Sequence, residues 1–363
     1  MKFYEILLKT SEKYLKMQNS DGSFKSGHNG PWMDRESNVR NTAHISLILF
    51  RTYEIGNNME FLNASKRACE FLLMDKNRPY KKNVLSRYSG DSTNGIIGPA
   101  WAIEPLIYIG NRLQEPRYLD FAEEIVLLHK FNRKRKLWHI SNLNGSVGKI
   151  DETFNHQLWF AYVALTIGNI KNNKIILNYC NEFFNGLENN LTFLEKGLIE
   201  HTFRRKGFKY IIKKRLIDLY ELIKGNVNTT FKRSRGYLGF NLQGFALAYY
   251  FNPEMKFWSK INKKIMDSMD YAMAHYPMDL MSGDESYGWA YNPTGIEIAF
   301  ALQCFNKIPK EKEIIKWLNV QLNNYYDFGA SMMAKNTCDP VTSSARFYES
   351  IFLDNYDVFL NNK

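Results

Sequence analysis

Two kinds of helix-forming segment alternate along this chain, and no other feature limits its fold as strongly. One kind carries its apolar residues on a single stripe, at roughly 3–17, 59–74, 115–129, 172–188, 255–275 and 309–325. The other is apolar nearly all round and rich in small residues, at about 39–56, 96–112, 154–168, 240–251, 293–306 and 342–355. A helix apolar on every side must be buried on every side, whereas a striped helix covers a core with one face. Six buried helices interleaved with six half-exposed ones describe two concentric rings, an all-α (α/α)6 barrel built as a toroid of six helical hairpins. The buried helices begin about 50 to 58 residues apart, except for one gap of about 86. An open solenoid can have a similar period, but its repeats usually share residue motifs, and these share only a pattern. The chain thus reads as a single domain over residues 1–363, with an insert at about 195–235 filling the long gap.

That insert also holds much of the chain's charge. The formal net charge is +11, yet residues 195–235 alone contain twelve Lys and Arg against four Asp and Glu. A locally concentrated surplus fits a solvated helical face, or a docking surface for an anionic polymer or membrane, better than a nucleic-acid groove spread over the molecule. Strand signals are nearly absent. No run approaches the roughly 18 apolar residues of a membrane span. The N-terminal segment has charges scattered through it and lacks a secretory h-region. The four cysteines, Cys69, Cys180, Cys304 and Cys338, are far apart. Such spacing argues against a disulfide framework or a zinc site, so a cytoplasmic protein without metal or cofactor is expected.

The loops entering the buried helices share a second regularity. They read PWMDRESNVRNTAH, SGDSTNGIIGPAW, GKIDETFNHQLW, RGYLGFNLQG, DESYGWAYNPTG and CDPVTSSARFYES. The connections at the other end are short, such as EIGNN and IGNIKNN. One end of the ring is thus trimmed, and the other carries polar and aromatic loops on a rigid scaffold, where function usually sits. Aromatic rings beside carboxylates suit sugars, which stack on the ring and hydrogen-bond around their rim.

Asp91 and Asp151 open the second and third buried helices, at adjacent positions around one mouth of a closed ring. Two facing carboxylates are what glycosidic chemistry requires, one donating a proton and the other activating water or attacking. Either residue could equally be a helix N-cap. Asn155 and His156 follow Asp151 and resemble the Asn-His pair of alginate-type polysaccharide lyases, in which Asn neutralises a uronate and His or Tyr takes a proton. The segment DESYGWAYNPTGIEIAF adds Trp289, Tyr291, Asn292 and Glu297, of which Glu297 lies inside a buried helix and needs a partner. Arg346 and Glu349 are spaced to pair with each other or to face the barrel cavity. The segment YLKMQNSDGSF resembles one copy of a terpene-cyclase repeat, but no aspartate cluster accompanies it. Phosphate-cradling, GxSxG and HExxH motifs are absent.

These features together resemble the six-hairpin glycosidase group, nearest to the unsaturated glucuronyl hydrolases and related proteins of bacterial polysaccharide gene clusters. The resemblance spans nearly the whole chain as architecture. At motif level it rests on KIDETFNHQLWFA, similar to the segment bearing that family's catalytic Asp, and more loosely on the loop around Asp91. It implies a metal-free glycoside hydrolase of uronide-containing saccharides that protonates and hydrates an enol ether. Asp151 would then be the acid/base and Asp91 its partner. Trp32, Trp101, Trp159 and Trp289 would be stacking walls, with Arg40, His44, Asn155, His156, Tyr291, Asn292 and Glu297 completing an oligosaccharide or polysaccharide site. A lyase or sugar epimerase on the same barrel, with His156 and a tyrosine such as Tyr291 moving the proton, is the first alternative. A non-catalytic saccharide-binding protein organised by the basic insert is the second.

Overall fold

The computed structural model describes residues 1–203, 229–282, 287–305 and 311–360. The inner ring is α2 (Val39–Gly56), α4 (Ile97–Leu113), α6 (Phe154–Ile170), α9 (Leu238–Phe251), α11 (Thr294–Phe305) and α13 (Pro340–Ala345). A 3-10 turn, Arg346–Ser350, continues α13. The outer ring is α1 (Phe3–Leu15), α3 (Met59–Leu73), α5 (Pro116–Leu127), α7 (Lys174–Asn190), α10 (Phe257–Ser282) and α12 (Glu311–Tyr325). A short helix, α8 (Thr229–Gly236), precedes α9. Each inner element packs on the next, and the 3-10 turn returns to α2, so the ring closes. The termini tie the closure: the Phe3 amide donates to the Tyr356 carbonyl at 2.9 Å, and Lys2 pairs with Asp357 at 2.8 Å. The result is the (α/α)6 barrel, with its apolar core between the rings and inside the inner one. No described helix is long and apolar enough to cross a membrane.

Two local departures from the sequence reading matter for the site. A three-stranded antiparallel sheet, Phe131–Asn132, Leu137–Ser141 and Val147–Ile150, lies between α5 and α6. Its strands are too short to show a period of two. The last strand ends at Ile150 and delivers Asp151 directly to the start of α6. Gln157 locks that delivery: its side chain accepts from the Trp138 amide at 2.9 Å and donates to the Trp138 and Asp151 carbonyls, both at 2.8 Å. The second departure is the sixth inner segment. It runs as α-helix only over Pro340–Ala345 and then tightens. In a 3-10 turn residues three apart eclipse, which sets Arg346 beside Glu349, with Nε to Oε1 at 2.7 Å.

Most of the basic insert, 204–228, lies outside the described residues, as do Asp284 and Glu285. Its flanks are described. A hairpin, Phe193–Glu195 and Leu198–Ile199, precedes it and α8 follows it. Past the hairpin the chain runs alongside the entry to α6: the Phe154 amide donates to the His201 carbonyl and the Phe203 amide to the Glu152 carbonyl, both at 2.8 Å. The flanks of the insert are therefore part of the barrel mouth.

Candidate active site

At the end of the barrel that carries the long loops, a cavity of about 280 Å3 opens over the inner ring. All six inner positions contribute to it: Asn29, Trp32 and Asp34 before α2, Arg87 and Asn94 before α4 with Trp101 on it, and Thr153, Asn155 and His156 at the start of α6. Tyr237 and Phe240 at α9, Tyr291 before α11 and Arg346 after α13 complete the circle. The hairpin side adds His201 and Arg233.

Asp151 and His156 form the centre of one wall. The His156 Nδ1 lies 2.8 Å from Asp151 Oδ2. The remaining acceptor positions of this buried carboxylate are filled by backbone amides, Ile96 to Oδ2 at 3.1 Å and Thr153 to Oδ1 at 3.0 Å. Burial pushes the carboxyl up, but His156 and the two amides outweigh it and hold Asp151 at about 2. An ionised carboxylate saturated in this way orients an imidazole and stabilises its cation; it has no proton to give. The Nε2 of His156 has no protein partner among the described residues.

Gly95 explains how a second chain segment comes so close. With φ at +62°, it lies so near the pair that a Cβ there would stand 2.2 Å from Asp151 Oδ2 and 2.9 Å from His156 Nδ1. Only glycine fits. Asp91 shapes this turn. Its Oδ1 accepts from the Thr93 amide at 3.1 Å and hydroxyl at 2.9 Å, and its Oδ2 accepts from the Gly95 amide at 2.8 Å. Asp91 is itself exposed and lines a separate surface depression. The structure therefore places it as the staple of the 91–95 turn, away from the cavity where the sequence reading expected a second catalytic carboxylate.

The floor is charged and closely paired. Buried Arg40 donates from Nη1 to Asn29 Oδ1 at 2.6 Å and to Glu36 at 3.1 Å, and its guanidinium lies 4.3 Å from the Trp101 ring centroid. The Tyr291 hydroxyl donates to the same Asn29 oxygen at 2.6 Å, so it is engaged and not a free base. Arg346 sits between the Phe240 and Tyr291 rings, 4.9 and 5.2 Å from their centroids. It pairs with Glu349 at 2.6 Å and Glu297 at 3.4 Å and donates to the Asn292 side chain. Two carboxylates share one buried guanidinium here. Burial, then the neighbouring Glu349, pushes Glu297 well above the usual carboxylate range. The expected partners of Glu297, and both options for Arg346, are thereby found in one cluster.

The remaining expected residues divide. Trp32 and Trp101 line the cavity, and so does Asn155, whose Nδ2 has no hydrogen-bond partner. His44 lies in the buried core, stacked 3.8 Å from the Tyr348 ring and edge-on to Trp101; burial, then Arg40 and Arg346, push it well below the usual histidine range. Trp159 is also buried, stacked 4.6 Å from Phe240, with Nε1 donating to Glu104 at 2.9 Å. Trp289 is no stacking wall. It packs outward on Trp317 and Tyr325 in α12, because the loop turns there through a positive φ of 42°. His201, Arg233, Tyr237, Asp34 and Arg87 escaped the sequence reading. His201 is half-buried and stacked 4.5 Å from Tyr237, and desolvation, then His156 and Arg233, lower it to about 3. Nothing in its local sequence marks it, since only the hairpin brings it to the mouth. Among the described residues no group of three or more His, Cys, Asp or Glu side chains could hold a metal ion.

This architecture is the six-hairpin, glycosidase-like (α/α)6 fold. Solved structures that share it over nearly the full chain include the cellobiose 2-epimerase of Bacillus thermoamylovorans B4167, with 11% identity, 96% of this chain and 98% of that one covered and a TM-score of 0.65. An α-1,6-mannanase of Salegentibacter sp. HEL1_6, seen with α-1,6-mannotetrose, has 13% identity, 97% and 99% coverage and a TM-score of 0.62. An unsaturated glucuronyl hydrolase specific for heparin has 12% identity, 96% and 94% coverage and a TM-score of 0.61. In sequence, the chain is similar to archaeal glycosylation protein Q of Haloferax volcanii, 29% identical over 378 residues and spanning 98% of this chain and 99% of that protein. No family model matches the chain.

Proposed function

We propose that this protein is a carbohydrate-active enzyme that moves a proton on a carbon of a small, uronide-type sugar, and that its reaction is epimerisation or isomerisation. The observation that carries this reading is the Asp151–His156 pair, with a saturated, ionised carboxylate behind an imidazole whose Nε2 is free at the cavity wall. Such a pair can take a proton from carbon and return it to the same face, as isomerisation requires. Epimerisation also requires the planar intermediate to turn over before the proton returns. Asp151 would stabilise the imidazolium between the two steps. Asn155, whose Nδ2 has no partner among the described residues, would hold the sugar's carboxylate, and Trp101 its ring. At about 280 Å3 the cavity is at the low end of ligand sites, which suits a short saccharide better than a polymer. The full-length likeness to a protein named for glycosylation also favours building a glycan over degrading one.

Hydrolysis of an unsaturated uronide remains the second reading, with His156 in its protonated form as the acid, because Asp34 places one more carboxylate at the cavity. Its Oδ2, however, is occupied by Asn29 at 2.7 Å and Arg87 at 3.1 Å. The test is solvent exchange. Incubation with glucuronate, galacturonate and their glycosides in D2O should incorporate deuterium at a ring carbon and yield an epimer or isomer detectable by NMR. In parallel, an unsaturated glucuronyl disaccharide is followed by ultraviolet absorbance. Loss of absorbance without deuterium exchange at a saturated sugar would transfer the assignment to the hydrolase. Two negative results would leave only the saccharide-binding alternative.

A further inference from the structure

We infer that the rim of this cavity carries a separate subsite for a phosphate group attached to the sugar, with Arg233 as its reader. The inference rests on the sugar-site reading above and adds the chemical form in which the sugar arrives. The cationic side chains around the mouth are nearly all matched by an acid. Arg40 pairs with Glu36, Arg87 with Asp34, Arg346 with Glu349 and Glu297, His28 with Asp339 and His156 with Asp151. Arg233 differs. Among the described residues no carboxylate pairs with it, and its helix, TTFKRSRG, contains three cationic residues and no acid.

The guanidinium is nonetheless held in place. Its centre lies 5.2 Å from the Trp32 ring centroid and 5.7 Å from that of Tyr287, with Nε 3.5 Å from the Tyr287 hydroxyl. The two rings are 5.6 Å apart, and they come from different loops, before α2 and before α11. Three separate segments of chain thus converge to fix one arginine at the cavity edge. Both rings lie on the same side of the guanidinium, and among the described residues its two Nη groups have no hydrogen-bond partner, which leaves them available for bidentate recognition of an oxyanion. The adjacent Ser234 accepts from the His201 amide at 2.9 Å, which couples the position of this rim to the cavity wall.

The sugar's carboxylate is assigned to Asn155 on the cavity wall, so the anion at the rim is a second group. It must be attached to another position of the same sugar. Phosphate on the anomeric oxygen, as in a glycosyl phosphate joined to a nucleotide or to a lipid carrier, meets that requirement. Because it locks the ring, it confines the proton transfer to C5 beside the carboxylate and belongs to the epimerisation reading. Both sources present the same oxyanion to Arg233.

The test compares binding, read by fluorescence of the partly exposed Trp32 and by calorimetry, for defined probes. These are glucuronate, glucuronate 1-phosphate, glucose 1-phosphate, a uronide disaccharide, UDP-glucuronate and a short-chain prenyl phosphoglucuronate. Glucuronate 1-phosphate should bind at least tenfold more tightly than glucuronate. R233A should remove that preference and R233K should keep part of it, with circular dichroism showing both variants folded. A further gain with UDP-glucuronate indicates the nucleotide source, and a gain with the prenyl conjugate the lipid source. If glucose 1-phosphate binds with the same dependence on Arg233 while glucuronate does not bind, the phosphate subsite stands and the uronide reading falls. Equal affinity for glucuronate and its 1-phosphate, a preference that survives R233A, no binding of any phosphorylated probe, or an equal Arg233-dependent gain with the uronide disaccharide would each overturn the proposal.

Discussion

At the residue scale, the proposed mechanism gives Asp151 and His156 opposite tasks although they share one hydrogen bond. H156Q keeps a polar side chain at the wall but loses the transferable proton, so exchange at the substrate carbon should fall by roughly 100-fold or more while saccharide affinity changes little. D151N keeps an acceptor for Nδ1 but not the charge that stabilises the imidazolium. It should slow exchange to a similar degree and also lower the thermal midpoint, because a neutral amide meets the two backbone donors less well; loss of charge-assisted hydrogen bonds costs about 1–3 kcal/mol. Proton-exchange NMR and a melting curve separate these outcomes, and normal turnover in D151N would remove the pair from the mechanism. G95A should be more damaging than its size suggests. The added methyl would overlap Asp151 Oδ2 on a backbone already at positive φ, so exchange and stability should fall together in the same two measurements.

The 91–95 turn raises the question of the element. Read from sequence, Asp91 and Asp151 are equivalent, each an acid at the mouth of an inner helix. Their hydrogen bonds separate them, since Asp91 closes its own turn and so delivers the Ile96 amide to Asp151. The staple role makes a prediction that the catalytic role does not. D91N keeps an acceptor for Thr93 but turns an NH2 toward the Gly95 N–H, so it should lose a few-fold in kcat/KM, whereas D91A should raise KM and lose on the order of tenfold as the turn loosens. Steady-state kinetics on the two variants decide this, and a dead D91N would restore Asp91 as an acid. The small sheet before α6 acts in the same way at a larger size. It fixes where α6 begins, with Gln157 joining strand to helix, and it went unpredicted because two- to five-residue strands leave no periodic signal.

For the whole molecule, three histidines held below their ordinary value, His44 and His129 buried and His201 half-buried, should set the acid sensitivity. Desolvation lowers His129 to about 4 and His201 to about 3, and holds His44 well below its ordinary value. A histidine with a depressed folded value takes up its proton in the unfolded chain first. Stability should therefore be full above the unfolded value of 6.5 and fall as pH drops below it, by on the order of 1.4 kcal/mol per pH unit for each histidine. Asp151 extends the loss to lower pH. Its folded value of about 2 lies below the ordinary 3.8, so its contribution is present above about 4 and disappears between there and about 2. Urea unfolding at pH 7, 6 and 5 should show a steadily falling midpoint, less steep in H129N. A flat profile would mean that these rings are not held neutral.

What the amino-acid order determined by itself was the double ring, because a helix apolar on all sides has one kind of place to go, and the end of the barrel where the cavity opens, because long polar loops fell on one side of every inner helix. It also marked Asp151, His156, Trp101 and Arg346, which lie within or next to those loops. Tertiary structure alone decided which groups meet. His201 and Arg233 lie 45 and 77 positions beyond His156 and reach the cavity only because a hairpin and a short helix fold back over its mouth. Asp91 and Trp289, equally prominent in sequence, are turned away by one saturated turn and by one positive φ. Periodicity records how much of a segment is buried, which is a local property. The direction in which a loop side chain points depends on the hydrogen bonds of residues distant in the chain.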